Sequence, residues 1–190
     1  MAFRLAVGLG NSPSRYEGTR HNVGMAALGR IAGMYQAKFS LNKYCAAYLS
    51  KANVCGKDVV FAAVQGYMNE SGVNIANILR FLKIDISETI VFYDDITIQR
   101  GSFKISEGGS SGGHNGVENI IARCGNSFAR VRIGLGGKTF KEMDLADYVL
   151  GGLSDDEKAS FEASLPKLKD AFEMICSKGL VAAQNAFNRK

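Results

Sequence analysis

The chain is poor in the residues that hold metals. Among its 190 residues there are only two histidines, His21 and His114, and four cysteines, Cys45, Cys55, Cys124 and Cys176, none in a CxxC pair. A zinc cluster needs ligands at closer and more regular spacing. Scattered, unpaired thiols point instead to reduced cysteines in a cytoplasm. Long apolar runs are also missing: none approaches the roughly 18 residues of a membrane span. The N-terminus has no basic region leading into a long apolar segment, which argues against a secretory signal. The formal charge is +5, yet no dense Lys/Arg block occurs. A basic surface for a polyanion would have to be assembled by folding. The length suits one domain with a full core, and no internal repeat or linker divides it.

Against these absences stands one dense stretch, Val7 to Asn22. The apolar run Leu5–Leu9 reads as a buried strand, closed by Gly10 and Asn11. A polar loop follows, with Tyr16, and His21 opens an apolar-periodic segment. Ligands of open α/β sheets sit where strand C-termini meet helix N-termini. A histidine there has a free pKa suited to proton transfer, although capping or filling the helix start is its commoner use.

Alternation of strand and helix patterns continues down the chain. Residues 22–36 carry Val23, Ala27, Ile31 and Met34 at helical spacing. Tyr44–Lys51 and Val59–Gln65 read as a hairpin about a Gly56-Lys57-Asp58 turn. A junction at 67–72 leads to a helix bearing Ile75, Ile78, Leu79 and Leu82. Thr89–Tyr93 is an apolar strand closed by Asp94 and Asp95. Phe103–Ser106 is a further strand, and a glycine-rich loop, 108–116, leads into a helix with Val117, Ile120 and Ile121. Ala129–Leu135 is the last strand. The tail is helical: Ser154 and Glu157 form a capping-box pattern, Pro166 should start a second helix or kink the first, and 180–188 is a short final helix. The expected fold is a single α/β domain, 1–190, with a mixed twisted sheet flanked by helices and a helical C-terminal tail.

Three glycine-bearing turns imitate known motifs and fail on detail. Gly8-Leu9-Gly10 opens like a dinucleotide fingerprint, but Pro13 occupies the third glycine position. Gly108–Gly113 has phosphate-loop spacing, with His114 where a lysine is required. Gly109–Gly113 matches a nucleophile elbow around Ser111, yet the one histidine beyond it is only three residues away. What remains is a set of polar residues at element ends: Asn11, His21, Asn69, Asp94 and Asn115. If their strands are neighbours, all five surround one crevice. A carboxylate that fixes the histidine tautomer frees the other ring nitrogen to take a proton from water. Asparagines can donate to a developing oxyanion. Asp94 and Asp95 could alternatively hold magnesium.

Several segments together carry a resemblance: Val7-Gly8-Leu9-Gly10-Asn11, Tyr16, Thr19-Arg20-His21-Asn22-Val23-Gly24, Met68-Asn69-Glu70-Ser71-Gly72, Asp94-Asp95, Gly112-Gly113-His114-Asn115-Gly116, Arg130-Val131-Arg132-Ile133-Gly134 and Tyr148-Val149-Leu150. In these the chain resembles the bacterial peptidyl-tRNA hydrolase family. The resemblance implies hydrolysis of the ester joining a peptide to the 3′-terminal ribose of tRNA. It implies that His21 is the base, Asp94 its orienting carboxylate, and Asn115 a group placing water or the oxyanion. It also implies substrate contacts from Asn11, Tyr16, Met68, Asn69 and His114, and tRNA phosphate contacts from Lys104 and Arg132. No cofactor or metal, no membrane and no obligate protein partner are expected, and the enzyme should be a cytoplasmic monomer. A non-catalytic RNA-binding module is the rival use of this fold. Three positions depart from the family pattern. Asn11-Ser12-Pro13 replaces Asn-Pro-Gly, Ser106 stands where a second basic residue is common, and Gly136-Gly137-Lys138 replaces His/Arg-Pro-Gly at the start of the family's mobile lid. A differently bent turn beside Asn11 and weaker phosphate binding are the expected consequences, with Lys138 restoring charge locally.

Overall fold

The computed structural model describes residues 2–137 and 144–188. Among these residues seven strands form one sheet: β1 (Leu5–Gly8), β2 (Ser40–Asn42), β3 (Ala47–Val54), β4 (Lys57–Val64), β5 (Thr89–Asp95), β6 (Phe103–Glu107) and β7 (Ala129–Gly134). Their order is β2-β3-β4-β1-β5-β7-β6. The central four, β4, β1, β5 and β7, run parallel. The outer pairings are antiparallel. The sheet is therefore mixed, as the alternation of patterns implied.

Among the described residues six α-helices cover it: α1 (Val23–Met34), α2 (Ser71–Leu82), α3 (Asn115–Cys124), α4 (Leu145–Leu150), α5 (Asp155–Lys178) and α6 (Leu180–Phe187). One face packs α1, α5 and α6 through Ala27, Leu28, Ile31, Leu168, Phe172 and Ala183. The other packs α2 and α3 through Ile75, Ile78, Val117 and Ile120. Both faces of the parallel strands are covered, which is why β1 and β5 read as continuous apolar runs. No helix among the described residues is long and apolar enough to cross a membrane.

Two local readings change, and two elements are added. The hairpin turn is Cys55-Gly56, both at positive φ (51° and 84°), a two-residue turn whose twist matches its strands. Lys57 and Asp58 thus belong to β4, and Asp58 pairs with Lys51 across the ladder at 2.8 Å. Pro166 lies inside one continuous α5 rather than between two helices. The missing amide costs about 3 kcal/mol, but Leu165, Leu168, Phe172 and Ile175 bury their stripe against the sheet on both sides of it. The short edge strand β2 and the helix α4 had no clear sequence pattern. Asp144 caps α4 by accepting from the Ala146 amide at 2.7 Å.

Strand β1 marks the switch point. The chain leaves it by α1, builds β2 to β4 on one side, then crosses to place β5 on the other. A crevice opens at such a point, outside the carboxyl ends of the strands. The start of α1 presses close to it: a Cβ on Gly24 would lie 2.3 Å from the Phe92 carbonyl oxygen, and one on Gly8 2.5 Å from that of Gly24. Only glycine lets the helix sit this deep, which brings His21 down onto the end of β5.

Candidate active site

A cleft of about 1010 Å³ opens at that switch point. Asn11, Tyr16, His21, Met68, Asn69, Asp94, His114, Asn115 and Arg132 all line it. Nine of the ten residues singled out in sequence therefore share one cavity. Lys104 is the exception. It sits on the edge strand β6, exposed and outside the cleft wall, as the cross-strand neighbour of Arg132.

Asp94, near the end of β5, is 3 % exposed. Its carboxylate faces both histidines of the chain. His21 Nδ1 lies 2.9 Å from Oδ1 and 3.1 Å from Oδ2, and His114 Nε2 lies 3.0 Å from Oδ1. Burial pushes the Asp94 pKa up, but the two imidazoles outweigh it and hold the group well below the usual carboxylate range. An ionised carboxylate can only accept, so both ring nitrogens facing it are donors. Each tautomer follows. A neutral His21 then carries its proton on Nδ1 and its lone pair on Nε2, on the far side of the ring from Asp94. His114 is fixed independently, because its Nδ1 accepts from the Val117 amide at 3.3 Å as the cap of α3. The sequence reading missed this second grip on Asp94, since an i-to-i+20 pairing leaves no local pattern. The three donor atoms lie within 4.8 Å of one another, but in this arrangement the nitrogens that face Asp94 carry protons rather than lone pairs for a cation.

Asn11 is clamped from two directions. Asn22 accepts from the Asn11 amide at 2.8 Å and donates to its carbonyl at 2.9 Å. The Asn11 Oδ1 accepts from the Met68 amide at 2.8 Å. Its side chain is thereby left with Nδ2 as the group it can offer a ligand, a donor. Asn22 was not among the expected site residues, although it stands next to His21. The departure at Ser12 is accommodated by a reciprocal pair: the Ser12 amide donates to the Gly66 carbonyl at 2.9 Å, and Ser12 Oγ accepts from the Gly66 amide at 2.8 Å. That pair ties the Asn11 turn to the segment carrying Tyr67, Met68 and Asn69.

Asn69 and Asn115 are exposed in the cleft. Asn115 is the first residue of α3, where backbone amides are unsatisfied and the helix dipole favours negative charge. Tyr16 meets Tyr67 edge-on at 6.4 Å, and Arg15 lies 4.8 Å over the Tyr16 ring. Met68 is buried, and Gly116 leaves room for its sulfur, which a Cβ there would meet at 2.5 Å.

The glycine-rich loop is pinned from beneath. Arg130, 2 % exposed, donates to the carbonyls of Ser110 at 2.7 Å and Gly109 at 2.9 Å, and Asn126 donates to Gly109 at 2.9 Å. Ser111 Oγ accepts from the Gly113 amide, while both imidazoles turn to Asp94. A nucleophile elbow has no support in that geometry. Arg132 is held by Asp95 through Nε at 2.8 Å and Nη2 at 2.7 Å. Burial raises the Asp95 pKa, but bonds from Thr97 and Arg132 bring it below the usual value. The expected local role of Lys138 lies outside the described residues, as do residues 141–143 of the expected lid. From Asp144 onward the segment is α4, whose Leu145, Ala146, Val149 and Leu150 form one wall of the cleft.

Comparison with known proteins places this geometry. A family model described as peptidyl-tRNA hydrolase matches residues 5–190. A peptidyl-tRNA hydrolase of Lachnoclostridium phytofermentans is 40 % identical over 98 % of this chain and 97 % of its own length. One from Chloroflexus aurantiacus is 39 % identical over 97 % of this chain and 98 % of its own. A crystal structure of peptidyl-tRNA hydrolase from Acinetobacter baumannii superposes with a TM-score of 0.91 at 28 % identity, covering 98 % of this chain and 94 % of that one.

Proposed function

The chain belongs to the peptidyl-tRNA hydrolase family, and from that premise we propose that it cleaves the ester of peptidyl-tRNA with water activated by His21. The observation that carries the reading is the Asp94-held imidazole at the cleft, with Nε2 unengaged by the carboxylate. Nε2 takes a proton from water as the water oxygen bonds to the ester carbonyl carbon. The resulting imidazolium lies against ionised Asp94, which stabilises it without taking its proton. Negative charge develops on the carbonyl oxygen, where Asn115 at the positive end of α3 and the Asn11 Nδ2 are the available uncharged donors. Collapse breaks the bond to the ribose 3′ oxygen, which receives the proton from His21. Free peptide and free tRNA leave.

Asn69, Tyr16 and Met68 line the cleft and hold substrate in this scheme, while His114 acts on it through Asp94. Lys104 and Arg132, opposite one another on β6 and β7, meet tRNA phosphates. The enzyme works as a cytoplasmic monomer, a reading consistent with its four free cysteines.

The test is release of free tRNA from an N-acyl-aminoacyl-tRNA. Replacing His21→Ala should lower kcat by about 10²–10⁴-fold, the contribution of a positioned general base. Near wild-type turnover by that variant would refute the mechanism. Tight RNA binding by the wild type without ester cleavage would instead make the chain a binding module.

A further inference from the structure

Arg20 precedes His21, yet its side chain turns away to the distant end of the chain. Its Nε and Nη2 donate to the two carboxylate oxygens of Glu157 at 2.9 and 2.7 Å. Its Nη1 donates to the Tyr148 carbonyl at 3.2 Å, and its guanidinium lies 4.5 Å over the Tyr148 ring. The backbone follows the same route. Arg20 donates to the Gly151 carbonyl at 3.0 Å, Leu153 donates to that of Gly18 at 2.9 Å, and Thr19 and Gly152 form an antiparallel bridge. Glu157 also accepts from the Ser154 amide at 2.7 Å, closing the start of α5. The turn bearing His21 is thus locked to the C-terminal end of α4 and to the start of α5.

An isolated buried ion pair adds little net stability over apolar residues of the same shape, because desolvating both charges offsets their attraction. What a two-pronged guanidinium–carboxylate contact does supply is orientation. Tyr148 lies on α4, whose Val149 and Leu150 face the cleft. We propose that Arg20 and Glu157 are positioning residues, which hold His21 and the α4 wall in one frame so that the bound ester meets the imidazole in line. The proposal rests on His21 being the base.

Turnover by the full chain tests it, using Glu157→Gln and Arg20→Lys. Glu157→Gln keeps an acceptor for the Ser154 amide, and Arg20→Lys keeps a charge for Glu157, so both should fold. Each loses the paired fork. We expect kcat to fall about ten- to hundredfold, the cost of a misplacement on the order of 1 Å, with KM changed by less than about threefold. The double variant should be no worse than the poorer single one, since both break one contact. With only two histidines in the chain, the His21 ring signal is directly readable by NMR, identified by its loss in His21→Ala, and should move in both variants. Folded variants with kcat within about twofold of wild type, or with only KM raised, would overturn the proposal. His21→Ala run alongside separates the two failures: if it stays active, the base assignment itself falls.

Discussion

Two carboxylates of this molecule are buried alike and used differently. Asp94 and Glu157 are each 3 % exposed. Each faces two basic side chains: His21 and His114 for Asp94, Arg20 at 2.7 Å and Arg100 at 3.6 Å for Glu157. Two consecutive residues, Arg20 and His21, serve one carboxylate each. The difference lies in the partner. A guanidinium stays protonated at any working pH, so the Glu157 cluster is a fixed charge pair. An imidazole has a second ring nitrogen that can take and return a proton, so the Asp94 cluster can pass one while the carboxylate stays ionised. Burial alone does not make a reactive site; the acidity of the group opposite the carboxylate decides.

The largest effect should come from converting Asp94 to a neutral isostere. Asp94→Asn can donate as well as accept, so it no longer enforces the Nδ1–H tautomer of His21. We expect kcat to fall about 10²–10⁴-fold in the tRNA-release assay with little change in melting temperature. His114→Ala, which leaves the His21 contact in place, should cost less. A fall in kcat equal to that of Asp94→Asn would make the two histidines equivalent.

Glu157→Ala should add a loss of stability to the fall in kcat expected of Glu157→Gln. Breaking a buried pair costs about 3 kcal/mol, which for a chain of this size lowers the melting temperature by about 6–12 °C. Burial raises the Glu157 pKa, but the Arg20 and Ser154 bonds outweigh it and leave it below the ordinary value. A depressed folded pKa stabilises fully above the unfolded carboxylate value, about 4.3, and that stability fades as pH falls through the folded value. The gap between wild type and Glu157→Ala should therefore be widest near neutral pH and narrow in acid. A gap independent of pH, measured by thermal melts from pH 7 to 3, would remove the charge from the account.

The smallest effect concerns a third carboxylate. Asp95 neutralises Arg132, which is 30 % exposed, whereas Lys104 stands beside it on the sheet edge. A phosphate must compete with Asp95 for Arg132. Lys104→Ala should reduce the salt slope of log tRNA affinity by about one, and Arg132→Ala by less. Slopes equal to wild type for both would exclude phosphate contacts there.

Much of this was legible in the chain itself. Apolar runs fixed the parallel strands because both their faces are buried, and Ser154 with Glu157 announced the start of α5 through a contact only three residues long. The residues of the cleft were identifiable as polar groups at element ends, reinforced by family resemblance. The hairpin turn was misplaced by one or two residues because Gly56-Lys57-Asp58 has turn chemistry throughout, and only the ladder between β3 and β4 shows where pairing begins. Of the two expectations for Pro166, a helix start and a kink, the continuous α5 excludes only the first, because packing on both sides offsets the local backbone penalty.

By itself, then, the sequence determined which faces are apolar, where strands end and which chemical groups wait at those ends, since each depends on neighbours a few residues away. Tertiary structure decided the partners. Asp94 reaches His21 across 73 residues and His114 across 20, while Arg20 finds Glu157 across 137. Lys104 stays outside the cleft although Ser106 and Glu107, on the same edge strand, line it. Such contacts arise from the crossing of whole elements over the sheet, and no short-range periodicity encodes which carboxylate will face an imidazole and which a guanidinium.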